Sequence, residues 1–278
     1  MEKEHKKQQI RPWHVLSVVR NSIDFPLRNL MRWHKPLAES QSADLMTLLS
    51  HFPPQIQNDA EGLMQQYRLT DFQQLATFEQ LAVNLYYLDL LLQTFSDMAM
   101  TWPEDMKAAD VGPSDWFYVP ALYGFLRYDN NPGGRRLALE GFEVDPYRMY
   151  ADFHARIDHA EKYIQAFDSI TYQTNAFTIQ SDAYDLIVQF FPFVFLKDHF
   201  AWGLPYALFD PSGLLEKIEM SLKPGALFLV VNQGKAELEQ QKELMTRGSL
   251  QQVKEFQFHS AYKQYKKDHW VTLWQKQI

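Results

Sequence analysis

Cysteine is absent from this chain of 278 residues, so disulfide bridges, thiolate metal sites and cysteine nucleophiles are all excluded. Excess positive charge is also missing, because the formal net charge is −7 at pH 7. A protein that lives on nucleic acid needs a basic face to neutralise phosphate, and we therefore expect no nucleic-acid partner. The apolar runs are too short to span a bilayer, and the first residues show no signal peptide. We expect a cytoplasmic protein without a transmembrane segment.

The residues that are present favour a folded protein. Apolar residues make up 46% of the chain and aromatic residues 15%, which excludes wholesale disorder. The charge is uneven, since residues 1–36 contain eight Lys or Arg and three Asp or Glu. Residues 241–278 are also basic, with seven Lys or Arg and three Asp or Glu. These basic ends either border an anionic pocket or form ordinary solvated surface.

The first hundred residues have the pattern of helices. Leu81, Leu85, Leu88 and Leu92 recur at intervals of three or four residues within a long apolar run, which is helix periodicity. Asp71 is a candidate N-cap for this helix. Pro26 is expected to interrupt an earlier helix, because proline disfavours helix in the residue before it.

The pattern changes near residue 103, where short apolar runs begin to alternate with helical segments. We therefore predict an N-terminal helical lid or substrate region over residues 1–103 and an α/β domain over residues 104–278. A helix is expected over residues 145–167, and a turn at Lys223-Pro224-Gly225. Strands alternating with helices call for a mostly parallel sheet covered on both faces. The last two strands are close together in sequence, so they are expected to be antiparallel. The predicted strands span residues 106–111, 137–144, 185–191, 226–231, 253–262 and 269–275, and a further short strand is predicted within residues 169–178.

Four short motifs lie at the predicted strands of the α/β region or next to them. The first strand ends in an acid and a glycine, and glycine lets a ligand approach the backbone closely. The second strand ends in an acid that can accept hydrogen bonds from a ribose diol. An acid-led buried strand and a tight turn before another buried strand follow. In order along the chain, the motifs are Asp110-Val111-Gly112, Gly141-Phe142-Glu143, Asp185-Leu186-Ile187-Val188 and Leu222-Lys223-Pro224-Gly225.

The order and spacing of these motifs resemble the class I S-adenosylmethionine-dependent methyltransferases over about residues 104–278. The resemblance implies a Rossmann-like three-layer sandwich with a seven-stranded, mostly parallel sheet whose last strand is antiparallel. It also implies S-adenosylmethionine as the cofactor and a small molecule as the substrate.

The resemblance assigns cofactor contacts to nine positions of this chain. Asp110, Gly112 and Ser114 would lie at the methionine part of the cofactor, and Glu143 would hold the ribose hydroxyls. Val144 would border the adenine, whose edge would meet Asn175 and Ala176. Gln189 and Phe190, after the fourth strand, would face the reaction centre. The resemblance names no catalytic base.

Ser114 and Trp116 stand where the family usually has its second and third glycines. Serine is tolerable there, but tryptophan is bulky and would close the cofactor site if it lay across Gly112. Because these two residues differ from the family's glycines, two alternative functions are considered. One is methyl transfer from S-adenosylmethionine to a small molecule, and the alternative is a non-catalytic binding or scaffold protein with a degenerate site.

Other polar residues are candidates by position alone. His154, Asp158 and His159 share a predicted helix, and His154 and Asp158 are four residues apart on one face. Two such groups can begin a metal site, but a third ligand is not evident, and solvated helix surface is the simpler interpretation. We therefore expect no metal. Asp198-His199 follows the fourth strand and has the position of a general base, although a surface loop is the simpler interpretation.

The N-terminal segment is basic and aromatic, and it allows three interpretations. By analogy with the methyltransferases it forms a lid that binds an acidic or aromatic small molecule. The plainer alternative is a set of helices that pack their aromatics on the domain with arginines in solvent. A third is a helix lying in a membrane interface, which Pro26 and its short length weaken. The residues concerned are Trp13, Arg20, Arg28, Arg32, Trp33 and His34.

Overall fold

The computed structural model describes residues 14–38, 44–71, 77–98, 101–165, 167, 169–246 and 248–277. Trp13, which was expected in the N-terminal lid, lies outside the described residues.

Among the described residues, four α-helices precede the first strand, and the sequence predicts helices for this N-terminal region. They are α1 (Val15–Met31), α2 (Leu45–Leu49), α3 (Pro54–Gln66) and α4 (Phe78–Phe95), with a 3₁₀ turn at Leu69–Asp71 before α4. Helix α4 begins at a capping box. The Thr77 side chain accepts a hydrogen bond from the Gln80 amide, and the Gln80 side chain accepts one from the Thr77 amide. The prediction of Asp71 as the N-cap was therefore wrong.

Helix α1 runs without interruption through Pro26, so the predicted break was also wrong. Pro26 lies on the exposed side of α1, where the backbone carbonyl that loses its partner can reach water. The neighbouring Phe25 carbonyl accepts a hydrogen bond from the Asn29 side chain at 3.0 Å. Among the residues that the structure describes, no helix is both long and apolar enough to cross a membrane.

Seven strands form one sheet in the order β3-β2-β1-β4-β5-β7-β6, with β7 antiparallel to both of its neighbours. This confirms the predicted Rossmann-like fold and the antiparallel C-terminal pair. The strands are β1 (Asp105–Val111), β2 (Arg136–Phe142), β3 (Ile170–Gln173), β4 (Tyr184–Phe190), β5 (Leu222–Gln233), β6 (Leu250–Phe258) and β7 (His269–Lys276). The helices between them are α5 (Val119–Tyr128), α6 (Arg156–Ile164), α7 (Leu196–Ala201), α8 (Pro211–Ser221) and α9 (Lys235–Met245).

Two local predictions in this region were wrong. Residues 145–155 form a loop with a single bridge between Met149 and Ala155, so helix begins only at Arg156. Lys223-Pro224-Gly225 lies inside β5 and not in a turn before it. Tyr184 of β4 pairs with Leu222 of β5, and Leu186 pairs with Leu227. Because β5 has more residues than β4 between these two pairs, Lys223-Pro224-Gly225 form a bulge in β5.

Helix α4 shares the main hydrophobic core with the sheet. Its Leu81, Leu85 and Leu88 are fully buried in the same cluster as Leu139 of β2 and Leu186 of β4. Helix α4 therefore packs on the α/β part of the chain and shares its hydrophobic core. The division at residue 103 stays a prediction.

Candidate functional site

The loop after β1 keeps a glycine-like backbone although only one of its three special positions is glycine. The φ angles of Gly112, Ser114 and Trp116 are 80°, 60° and 55°, all in the left-handed region. Left-handed backbone costs a residue with a side chain about 1–2 kcal/mol. The chain therefore bears local strain at Ser114 and Trp116 to hold this loop shape. The Gly112 amide fixes the loop to β2 by donating to the Phe142 carbonyl at 2.9 Å.

Trp116 lies beneath the loop and not across Gly112. Its indole is wholly buried and packs on the backbone of Gly141, where an added Cβ would come 2.7 Å from the ring. A Cβ added to Gly112 would meet nothing within 4 Å, and Gly112 is exposed. The space above the first turn is therefore open, which was the question that the sequence left undecided.

Asp110 holds the buried side of this loop together. One of its carboxylate oxygens, Oδ2, accepts hydrogen bonds from Trp116 Nε1 and from the Tyr118 hydroxyl, each at 2.8 Å. The other oxygen has no hydrogen-bond partner among the described residues, and the side chain is fully buried. Burial raises the pKa of Asp110 to about 7, against the lowering effect of the two donors. Asp110 thus positions the loop from below.

Glu143 follows β2 and is held by three hydrogen bonds from its own chain. The Ser114 amide donates to Oε2 at 2.9 Å, while the Asp145 amide and Arg156 Nη1 donate to Oε1 at 2.8 and 3.2 Å. Burial raises the pKa of this carboxyl, and the nearby Arg156 guanidinium opposes the rise. A carboxylate offers about four lone-pair sites, and three of them are engaged, so Glu143 has about one acceptor site left on a side chain that is 5% exposed.

The other predicted cofactor residues lie around the same edge of the sheet. Val144 is half-buried beside Glu143, and Asn175 and Ala176 are exposed in the loop after β3. Gln189 and Phe190 are the last two residues of β4 and not residues beyond it, and both are buried. The Phe190 ring makes edge contacts with the rings of Tyr87 and Tyr118. No ligand contact tests these nine positions, and their roles stay predictions.

A shallow cavity of about 570 Å³, widely open to solvent, lies beside Ser114, and no sequence motif indicates it. Aromatic side chains of Phe117, Tyr150 and Trp202 line it together with Asp115 and His159. Burial raises the pKa of Asp115 although His159 and Arg156 act against the rise. Tyr150 and Trp202 come from segments that show no motif, so only the fold brings them to the first loop.

The remaining sequence candidates do not form a separate site. Asp158 is buried and accepts hydrogen bonds from the Ala155 and Lys35 amides, so the expectation of a solvated helix face was wrong for this residue. His199 lies in α7 and not on a surface loop, and burial lowers its pKa. Its Nε2 is 2.9 Å from the Pro205 carbonyl. Within the described ranges, no group of three His, Asp or Glu is arranged to hold a metal ion.

The N-terminal residues reach this edge of the sheet through α1. Arg28 donates two hydrogen bonds to Asp145, at 3.1 and 3.0 Å, and a third to the Gly203 carbonyl. His34 contacts Asp158, and Trp33 Nε1 donates to the Phe153 carbonyl. Helix α1 therefore covers the loop that follows Glu143. Whether it also selects a substrate stays a prediction.

The sheet order, the loop after β1 and the acid after β2 together define a fold of the class I methyltransferase type, as the motifs indicate. No protein-family model matches the chain, and no curated protein matches it. Solved structures that it resembles include an S-adenosylmethionine-dependent methyltransferase from Aquifex aeolicus, with 13% identity over 70% of this chain and 92% of that one and a TM-score of 0.48.

Two further solved structures are similar at the same level. A methyltransferase from Pyrococcus furiosus is 18% identical over 71% of this chain and 83% of that one, with a TM-score of 0.46. The N-methyltransferase NodS from Bradyrhizobium japonicum is 13% identical over 70% of this chain and 97% of that one, with a TM-score of 0.45.

Proposed function

We propose that this chain is an S-adenosylmethionine-dependent methyltransferase that acts on a small molecule. The observation that carries the proposal is the open space above Gly112, at a loop whose three left-handed residues are maintained at a cost in strain. A loop of this shape leaves its backbone accessible to a ligand. The Trp116 side chain lies beneath the loop and does not cover Gly112.

The residues at this edge fit the cofactor. Glu143 has about one acceptor site left for a ribose hydroxyl, and Val144, Asn175 and Ala176 lie on the two loops that would flank the adenine. When bound, the cofactor supplies a methyl group activated by its sulfonium. The protein's part is to bind, orient and exclude water.

The cavity beside Ser114 is the proposed place of the methyl acceptor. It shares Ser114 with the loop, so a molecule in it contacts the same segment that borders the cofactor. Its walls combine three aromatic rings with the Asp115 carboxylate, which suits a small, partly apolar molecule with a polar or cationic group.

One observation favours the second candidate, a binding or scaffold protein with a degenerate cofactor site. Glu143 is buried and already engaged by Arg156 and two backbone amides, and a ribose diol would have to share its carboxylate with them.

Calorimetric titration with S-adenosylmethionine and with its demethylated product decides between the two. Methyltransferase function requires binding of both, because the product occupies the same site after transfer. Folded protein that binds neither compound would refute the proposed function and leave the scaffold alternative.

A further inference from the structure

Polar side chains anchor the inward side of helix α1. Asn21 is its one fully buried residue, and the Asn21 amide donates hydrogen bonds to the carbonyls of Phe200 and Leu204, both at 3.0 Å. Arg28, two turns later on the same side, is bonded to Asp145. The inward side also carries Val18, which packs on the cluster of Leu196, Phe200 and Phe209. A surface helix usually buries its apolar stripe, whereas most of the apolar residues of α1 are exposed.

The outward side of α1 is a continuous apolar stripe. Its members are spaced by three or four residues, so they share one face of the helix over about 21 Å. Apolar side chains clustered in this way on a surface mark an interaction site, whereas scattered ones do not. The stripe comprises Leu16 (83% exposed), Val19 (54%), Ile23 (56%), Leu27 (47%) and Leu30 (80%).

The apolar surface continues past the end of α1. Trp33 is 47% exposed, and its indole N–H is held by the carbonyl of Phe153, whose side chain is 67% exposed. Tryptophan with a polar tip and an apolar body is the residue that membrane interfaces favour. Pro26, which argued against a helix here, does not interrupt α1.

The sequence that carries the stripe is basic, which indicates what the stripe docks against. Residues 1–36 contain eight Lys or Arg and three Asp or Glu, in a chain whose net charge is −7. The Arg20 side chain, next to Val19 at the edge of the stripe, is 68% exposed and forms an exposed ion pair with Asp24 at 3.4 Å. A second copy of the chain would bring two basic segments together, whereas anionic headgroups complement them and repel the acidic remainder.

We propose that the outer face of α1 docks this protein on the surface of an anionic lipid bilayer, with the helix lying in the plane of the interface. The contacts of Asn21 and Arg28 hold α1 on the domain while the opposite face enters the headgroup region. Docking therefore requires no rearrangement of the fold. The site around Gly112 is not involved, so the inference is independent of the proposed function.

Co-sedimentation of the full chain with vesicles tests the proposal. We expect binding to phosphatidylcholine vesicles that contain about 30 mol% phosphatidylserine, and little binding to phosphatidylcholine alone. The double variant Leu16→Glu/Leu30→Glu should lose at least about tenfold in vesicle affinity, because two charges enter the apolar stripe. Both residues are highly exposed, so the fold should be retained, as thermal unfolding by circular dichroism will show.

The matched control is the double variant Met46→Glu/Met220→Glu, which changes apolar side chains that are 63% and 52% exposed elsewhere on the surface. It should bind vesicles as the unchanged chain does. Three results would overturn the proposal: equal affinity for both vesicle types, an unchanged affinity in Leu16→Glu/Leu30→Glu, or an equal loss in the control. A dimer that dissociates in Leu16→Glu/Leu30→Glu, without vesicle binding by the unchanged chain, would assign the face to a second copy.

Discussion

Substituting Gly141 by alanine tests the placement of Trp116, on which the open cofactor edge depends. The new methyl group would lie 2.7, 2.8 and 2.9 Å from three carbons of the indole, all in its outer six-membered ring. These distances are about 1 Å shorter than favourable contact between carbon atoms. The ring cannot swing away easily, since it is fully buried and its Nε1 is bonded to Asp110.

We therefore expect Gly141→Ala to lower the free energy of unfolding by about 1–3 kcal/mol, the usual range for overpacking a core. Phenylalanine lacks the outer ring of the indole. In the Trp116→Phe background the same substitution should cost less than about 1 kcal/mol, and the difference is the coupling between the two positions.

Urea unfolding followed by circular dichroism measures all four members of the cycle. Gly62→Ala is the control, because Gly62 lies within α3 with nothing near its Cβ position, and it should stabilise the protein by about 0.5–1 kcal/mol. An equal cost of Gly141→Ala in both backgrounds would refute the packing of Trp116 on β2.

Two further predictions concern buried charges. The pKa of Asp110 is raised to about 7, so the folded protein keeps a proton there that the unfolded chain releases near its ordinary value. Stability should accordingly fall by about 1.4 kcal/mol per pH unit as pH rises between about 5 and 7. Asp110→Asn should flatten this slope in urea unfolding at several pH values, and an unchanged slope would contradict the assignment. Arg28→Ala should cost about 3 kcal/mol or more, because it removes the two-point partner of the fully buried Asp145. The exposed Arg20–Asp24 pair is its control, and Arg20→Ala should stay within about 0.5 kcal/mol in the same unfolding assay. Equal costs for the two arginine variants would mean that α1 is not anchored through Asp145.

The sheet was predictable because its evidence is local. The residues after Gly225, Ala226–Val231, are an uninterrupted apolar run, and the structure has them as a strand in β5. The short link between β6 and β7 predicted their antiparallel pairing correctly, because a parallel pair needs a long crossover.

The site was predictable only in part, since its character depends on contacts between distant residues. The sequence placed Glu143 after β2, but the hydrogen bonds from Asp145 and Arg156 depend on a loop over residues 145–155 that was predicted to be helical. Likewise, Trp116 has the bulk to close the cofactor edge. Only packing against Gly141 decides that it points the other way. The proline in α1 was misjudged because its position on the exposed side cannot be known before the helix is docked.

A methyl group added to the first turn tests the cofactor assignment most directly. Gly112→Ala places a Cβ in the open space above the loop, and Gly225→Ala places one in equally open space within the β5 bulge. The two glycines have φ angles of 80° and 78°, so the backbone strain should match, at about 1–2 kcal/mol. Titration calorimetry with S-adenosylmethionine should show binding by the unchanged chain and by Gly225→Ala, and a loss of at least about tenfold in Gly112→Ala. Binding that is unaffected by Gly112→Ala, or equally weakened by both variants, would contradict a cofactor site at this loop.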